Sequence, residues 1–234
     1  MLSLFPGLDP TGGGIPVSAL AALPVVAASS SDAIVFGTDP LNAVAAARRA
    51  VIAPDKRELA LAVLGHRWDA DIAVVWHVGL LKLVPLLRGF RGRVVLFCHG
   101  IELWRPHGWL TRRLFRRVDL FLSNSDYTWE RLPQHAPCLR DRLHITTGLG
   151  FGEPLEGAVP TPDAVPSAVI VGRISKAEDY KGHRELIAAW PKVLERIPAA
   201  RLDVLGDGDL RPDLEKMVRE RNLGDHVRFL GRVS

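Results

Sequence analysis

Short apolar runs alternate with amphipathic stretches along almost the whole chain. The runs LSLF (2–5), AIVF (33–36), IAVVW (72–76), VVLFC (94–98), LFLSNS (120–125) and LHIT (143–146) predict strands, as do AVIVG (168–172), LDVLG (202–206) and VRFLG (227–231). Most lack polar alternation, the pattern of parallel strands covered on both faces. Helical periods separate them, and this rhythm predicts an α/β fold. Leu186, Ile187, Trp190, Val193, Leu194 and Ile197 share one helical face; Leu210, Leu214, Met217 and Val218 share another. Both stripes read as core packing. Pro191 falls inside the first and is expected to kink or loosen it. Residues 43–68 read as helical, interrupted at Pro54.

One segment breaks the rhythm. Residues 148–166, GLGFGEPLEGAVPTPDAVP, are rich in Gly and Pro without a sustained period and read as a linker. The expected organisation is a domain over 1–150, a linker over 151–166 and a second α/β region over 167–234. That region supplies only a small open sheet, which would leave apolar edges and faces uncovered. The second domain is therefore expected to be incomplete, and the chain a piece of a longer protein.

Composition narrows the partners. The chain has 234 residues, 47% hydrophobic and 24% charged, enough for a sizeable core. Two cysteines, Cys98 and Cys138, offer no disulfide framework and fit a reducing, cytoplasmic compartment. The eight histidines are scattered, without metal-ligand spacing, so no metal is expected. A charge of +4 favours acidic partners: phosphorylated small molecules, membrane surfaces or nucleic acid. No RNA-binding aromatic signature or zinc finger is present, so nucleic acid is not expected. Residues 1–5 read as a first strand and not a signal peptide, and the apolar stretch 15–28 is too short to span a bilayer.

Four constellations carry candidate chemistry. Gly12, Gly13 and Gly14 follow the first predicted strand and precede a helix, as an anion-approaching loop or an ordinary flexible turn. The dinucleotide fingerprint G-x-G-x-x-G is absent, which argues against hydride transfer. His99 closes VVLFCH at a strand end, where open α/β sheets bind ligands; it either meets a substrate hydroxyl or is satisfied by backbone. Cys98 reads as buried packing. In HGWLTRRLFRRVD (107–119), Arg112, Arg113, Arg116 and Arg117 fall on one helical arc opposite Leu110, Leu114, Phe115 and Val118. That arc is a solvated face or a surface for anionic headgroups. Finally, in VIVGRISKAEDYKGHRELIAAW (169–190) a strand ends on Gly172-Arg173, and Lys181-Gly182 opens a helix. Two cations across one strand-to-helix turn suggest an anion between them, although Glu178 and Asp179 could neutralise the pair. Gly206 opens a further glycine turn at the next strand end.

The ordered set V-G-R, K-G, G-D-G and F-L-G, spread over 168–234, resembles the C-terminal domain of family 4 retaining glycosyltransferases, the glycosyl transferases group 1. The glycine loop, the HG after a strand, and VDLFLSNSDYTWERL resemble the N-terminal domain more loosely. The resemblance implies the GT-B architecture: two Rossmann-like parallel-sheet domains, the first for acceptor and the second for a nucleotide-sugar donor. It implies that Arg173 and Lys181 hold the donor diphosphate, and that Gly12, Gly13 and Gly14 face it from the other domain. His99 would lie near the donor sugar, and Gly172, Gly206, Arg232 and Val233 would complete the donor site. No metal and no other cofactor is implied. The acceptor is a hydroxyl compound, with a lipid-linked one hinted at by the basic helix, whose peripheral contact would be with the inner face of a membrane. The family's paired glutamates lie beyond F-L-G, so the chain alone is expected to show little transferase activity. Two alternatives stand beside this reading: a non-catalytic glycosyltransferase-like partner subunit, and an inverting GT-B enzyme.

Overall fold

The computed structural model describes residues 1–10, 13–27, 32–147 and 165–233. The chain divides into two compact units, Met1–Glu153 and Pro154–Ser234. The expected linker over 151–166 lies outside the described residues except at 165 and 166.

The first unit is built on one all-parallel sheet. Its strands are β1 (Leu2–Phe5), β2 (Asp32–Phe36), β3 (Arg49–Ala53), β4 (Ile72–Val75), β5 (Arg93–Cys98), β6 (Leu120–Ser123) and β7 (His144–Thr146), in the order β3-β2-β1-β4-β5-β6-β7. The helices are α1 (Gly14–Ala27), α2 (Lys56–Gly65), α3 (Trp109–Phe115) and α4 (Asp126–His135). Alternate residues of the central strands feed separate cores on the two faces. Leu4, Ile34, Leu96 and Cys98 enter one; Phe5, Val35, Trp76 and Phe97 enter the other. The continuous apolar runs have this cause, since both faces are dry.

Two sequence expectations need correction here. Residues 43–68 are not one interrupted helix, because Arg49–Ala53 forms β3 in parallel register with β2, Ile34 opposite Val51. As an edge strand β3 has half-exposed residues and lacks the dense apolar run of the central strands. Helix α2 starts only after Pro54, where the Asp55 carboxylate accepts from the backbone N–H groups of Arg57 (2.7 Å) and Glu58 (3.0 Å). Nor do the four arginines of 107–119 share a helix. Helix α3 ends at Phe115; the N–H groups of Arg116, Arg117 and Val118 then reach back three residues in a tightened turn. Leu114, Phe115 and Val118 are buried as expected, whereas Leu110 and Trp109 are exposed, Trp109 at 77%.

The second unit has a smaller parallel sheet, β8 (Ser167–Val171), β9 (Arg201–Leu205) and β10 (Val227–Gly231), in the order β10-β9-β8. Helices α5 (His183–Leu194) and α6 (Arg211–Glu220) bury Ile187, Trp190, Leu214 and Val218 against Leu202 and Val204. Both predicted stripes are core except at Ile197, which lies beyond the end of α5 and is exposed. Helix α5 continues through Pro191 to Leu194. Among the described residues the other sheet face is bare: Val169, Val171 and Leu230 are exposed.

Candidate functional site

In parallel sheets, the loops after the strands gather at one edge. In the second unit that edge is formed by Gly172, Gly206 and Gly231, stitched together by backbone bonds from Gly172 N to Leu205 O (3.0 Å) and from Gly206 N to Gly231 O (2.7 Å). Gly206 has φ +131°, and a Cβ there would strike the Gly172 carbonyl oxygen; one on Gly208 would strike that of Ile174. Only glycine fits this close approach. Arg232 and Val233 follow β10 on the same edge, both exposed.

From this edge the chain runs through Arg173 into a short 3₁₀ segment, Lys176–Lys181, started by the Ser175 side chain, which accepts from Ala177 N (3.3 Å). Gly182, at φ +89°, ends the segment and swings directly into α5. The outcome is convergence. Arg173 Nε lies 3.2 Å from Glu178 Oε2, Arg173 donates through a terminal nitrogen to Glu178 Oε1 at 3.2 Å, and Lys181 Nζ lies 2.9 Å from Oε2. The ammonium, chiefly, and the guanidinium hold the Glu178 carboxyl below its usual range despite partial burial. Lys181 also lies alongside Gly172, within van der Waals reach of where a side chain there would begin.

His183, the first residue of α5, is buried to 1% exposure with neither ring nitrogen hydrogen-bonded, and burial chiefly lowers its pKa. Arg211 pairs with Glu215 (2.7 Å) and Asp207 (3.5 Å) and lies over the Phe229 ring, so the G-D-G loop is tied to α6 by a cation.

In the first unit the strand order reverses between β1 and β4, the switch point at which open α/β sheets leave a crevice. Gly13, at φ +103°, accepts at its carbonyl from Val17 N (3.3 Å) and leads to Gly14, the first residue of α1. Gly12 lies outside the described residues. On the other side of the switch point stand His77 and His99, following the neighbouring strands β4 and β5.

His99 is half-buried, with Nε2 3.0 Å from the Trp76 carbonyl oxygen. A carbonyl can only accept, so Nε2 carries a hydrogen. Burial, outweighing the nearby Glu102 charge, lowers the ring's pKa, and a neutral ring then presents a lone pair at Nδ1. The ring stacks on Phe97 (4.6 Å), which continues through Trp76 (5.0 Å) to Phe5 (5.6 Å). The loop behind it is locked: Glu102 accepts from the His99 and Gly100 N–H groups (2.8 and 3.1 Å), and Asn124 donates to the His99 carbonyl (2.8 Å).

The sequence reading did not single out His77, Glu102 or Asn124 as members of these arrangements; it named Glu178 and Asp179 together as able to neutralise the two cations, and the structure puts Glu178 on both of them while Asp179 pairs with Arg184. The acid three places after His99, in HGIE, was the available signal for the turn. His77 had none, because its place beside His99 depends on strand order.

No group of three or more His, Cys, Asp or Glu side chains able to hold a metal occurs among the described residues. Among them, too, no helix is long and apolar enough to cross a membrane. Arg112, Arg113, Arg116 and Arg117 are all exposed, and none forms an ion pair with a described residue.

Comparison with known proteins gives this arrangement its class. Residues 165–234 match the model of the family described as glycosyl transferases group 1. An uncharacterized glycosyltransferase of Methanocaldococcus jannaschii is 36% identical over 181 residues, covering 72% of this chain and 45% of that protein. A GDP-mannose-dependent alpha-(1-6)-phosphatidylinositol monomannoside mannosyltransferase of Mycolicibacterium smegmatis is 27% identical over 183 residues, covering 69% and 46%. Among solved structures, an Anabaena protein in complex with UDP and glucose superposes with a TM-score of 0.72 at 17% identity, covering all of this chain and 69% of that one. The fold is that of the GT-B glycosyltransferases: mixed α/β, with a seven-stranded parallel sheet and a second, smaller one. Within that class, the chain belongs to the group 1 glycosyltransferases. It spans about half the length of the curated relatives it matches.

Proposed function

We propose that the chain forms the acceptor-side unit and part of the donor-side unit of a retaining glycosyltransferase that uses a nucleotide-diphosphate sugar. The observation that carries this reading is the meeting of Arg173 and Lys181 on one carboxylate at a strand-to-helix turn. A donor diphosphate takes that place, held by the planar fork of Arg173 and the point charge of Lys181.

In the reaction, the bond from the sugar's anomeric carbon to the β-phosphate oxygen breaks and its electron pair stays on the phosphate. The acceptor hydroxyl oxygen bonds to that carbon and gives up its proton to the departing diphosphate, which has gained the electron pair. Negative charge thus grows on the departing diphosphate, and cations already in place stabilise it as it develops. His99 accepts from a donor-sugar hydroxyl through Nδ1. In the first unit, Gly13 and Gly14 at the start of α1 leave backbone N–H groups open to an anion. Gly172, Gly206, Arg232 and Val233 frame the nucleoside side of the donor, and the site works without a metal. The relative named for GDP-mannose and the neighbour solved with UDP and glucose support a nucleotide-sugar donor without choosing the base.

The acceptor reading is a lipid-linked hydroxyl compound. It rests on the exposed arginines, without an ion pair among the described residues, that follow the exposed Trp109 and on the relative named for a phosphatidylinositol mannoside. Such a surface meets anionic headgroups at the inner face of a membrane. Co-sedimentation with vesicles is expected to rise with anionic lipid content and to fall when Arg112, Arg113, Arg116 and Arg117 become Gln; binding that ignores lipid charge would remove this part.

A panel of UDP-, GDP- and ADP-sugars, scored by nucleotide release with acceptor lipid, tests the main reading on the longest expressed form of the protein. One donor should turn over, and Arg173→Ala or Lys181→Ala should lower the rate about a hundredfold or more. Wild-type turnover in both variants would overturn it.

A further inference from the structure

The phosphate place at the edge of the second sheet is filled by the chain itself. Glu178 lies in contact with both Arg173 and Lys181, at 3.2 and 2.9 Å, and its side chain is 23% exposed. The other charged groups of the segment are otherwise engaged. Asp179 pairs with Arg184 (2.8 Å) and Lys176 with Asp213 (3.3 Å). The 3₁₀ segment also breaks at Glu178 itself, whose backbone leaves helical values at φ −124°, ψ 29°. Glu178 lies in neither β8 nor α5, so a change of its side-chain rotamer moves the carboxylate without disturbing either element.

We infer that Glu178 is a resident anion that stands in the donor diphosphate's place and must leave before the donor binds, setting the charge a ligand needs to enter. The inference rests on the reading that Arg173 and Lys181 take that diphosphate. Two neighbouring cations repel each other when bare, and one carboxylate offsets this in the empty site. Each entering ligand must displace it, so apparent affinity falls by the fraction of molecules in which the carboxylate has swung out. The handicap is the same for all ligands. A singly charged anion, which only exchanges one carboxylate for another, is thereby lifted out of its working range. A diphosphate brings more charge than it displaces and still binds.

The test is a side-chain NMR titration of the protein with pyrophosphate, UDP and acetate, following the Arg173 guanidinium and the Glu178 carboxyl carbon. In the wild type, pyrophosphate should shift both signals together and acetate neither. Glu178→Gln should bind pyrophosphate and UDP about tenfold more tightly at low salt, with acetate binding becoming detectable. Glu178→Ala, which removes the side chain's hydrogen bonding as well, should show the same gain. Pyrophosphate binding that is lost in Arg173→Ala and Lys181→Ala but no tighter in either Glu178 variant overturns this inference alone. Binding untouched by the Arg173 and Lys181 changes overturns the donor-site reading with it.

Discussion

At Gly206 the backbone turns at φ +131° beneath the Gly172 carbonyl oxygen, so a methyl group there has to part β8 from β9 at the edge that carries Arg173. Strain and overpacking together make Gly206→Ala costly by about 3 kcal/mol or more. In a unit this small the melting temperature should fall by about 10 °C or more; a fall under about 2 °C would show that the strand ends have slack. Such residues were partly legible beforehand. Arg173 and Lys181 stood out because a strand end and a helix start are local signals. That a neighbouring carboxylate could neutralise the pair was legible; that Glu178 and not Asp179 does so was not, since it depends on how the 3₁₀ segment folds back. His77 was hidden for a different reason: its nearness to His99 follows from β4 pairing with β5, which no local pattern states.

Strands were legible where their residues form an apolar run, covered or not: β8 was located although most of it is exposed. The central strands of the first sheet carry dense apolar runs because two faces are covered, and the runs locate them. Edge strand β3 carries Arg49-Ala50-Val51-Ile52-Ala53 with alternating exposure, and its flanking alanines mimic a helix former. The boundary that sequence periodicity blurred is set by Asp55, which takes the backbone N–H groups of Arg57 and Glu58 at the start of α2. Asp55→Ala should cost about 1 kcal/mol, read as a lower denaturant midpoint with an unchanged slope. An unchanged midpoint would mean that packing of Leu59 and Val63 alone fixes the helix start. Helix α3 shows the converse error. Arginine spacing fits a continued helix, but the chain must turn at Arg116 for Asp119 to reach β5, where its carboxylate accepts from Val94 N at 2.7 Å.

Across the whole molecule, burial is the leading cause of lowered pKa values at His77, His99, His107 and His183. The unfolded chain binds protons at histidine near pH 6.5, before these folded rings do. Stability is therefore full above about pH 6.5 and lost as pH falls below it toward the folded values. The depressed carboxylates Glu178, Asp203 and Asp209 have unfolded values near or below 4.5, so their contribution is lost only at lower pH. Melting temperature should drop between pH 7.5 and 5.5, and a flat profile there would show that the rings gain protons as easily folded as unfolded.

The central claim, that Arg173 and Lys181 grip the donor's diphosphate, is met most directly by calorimetric titration of UDP and GDP into the protein and its Lys181→Ala variant. One of the two nucleotides should bind, with affinity lower by about tenfold or more in the variant, as expected for losing a charged hydrogen-bond partner. Equal affinity in both proteins would contradict the account.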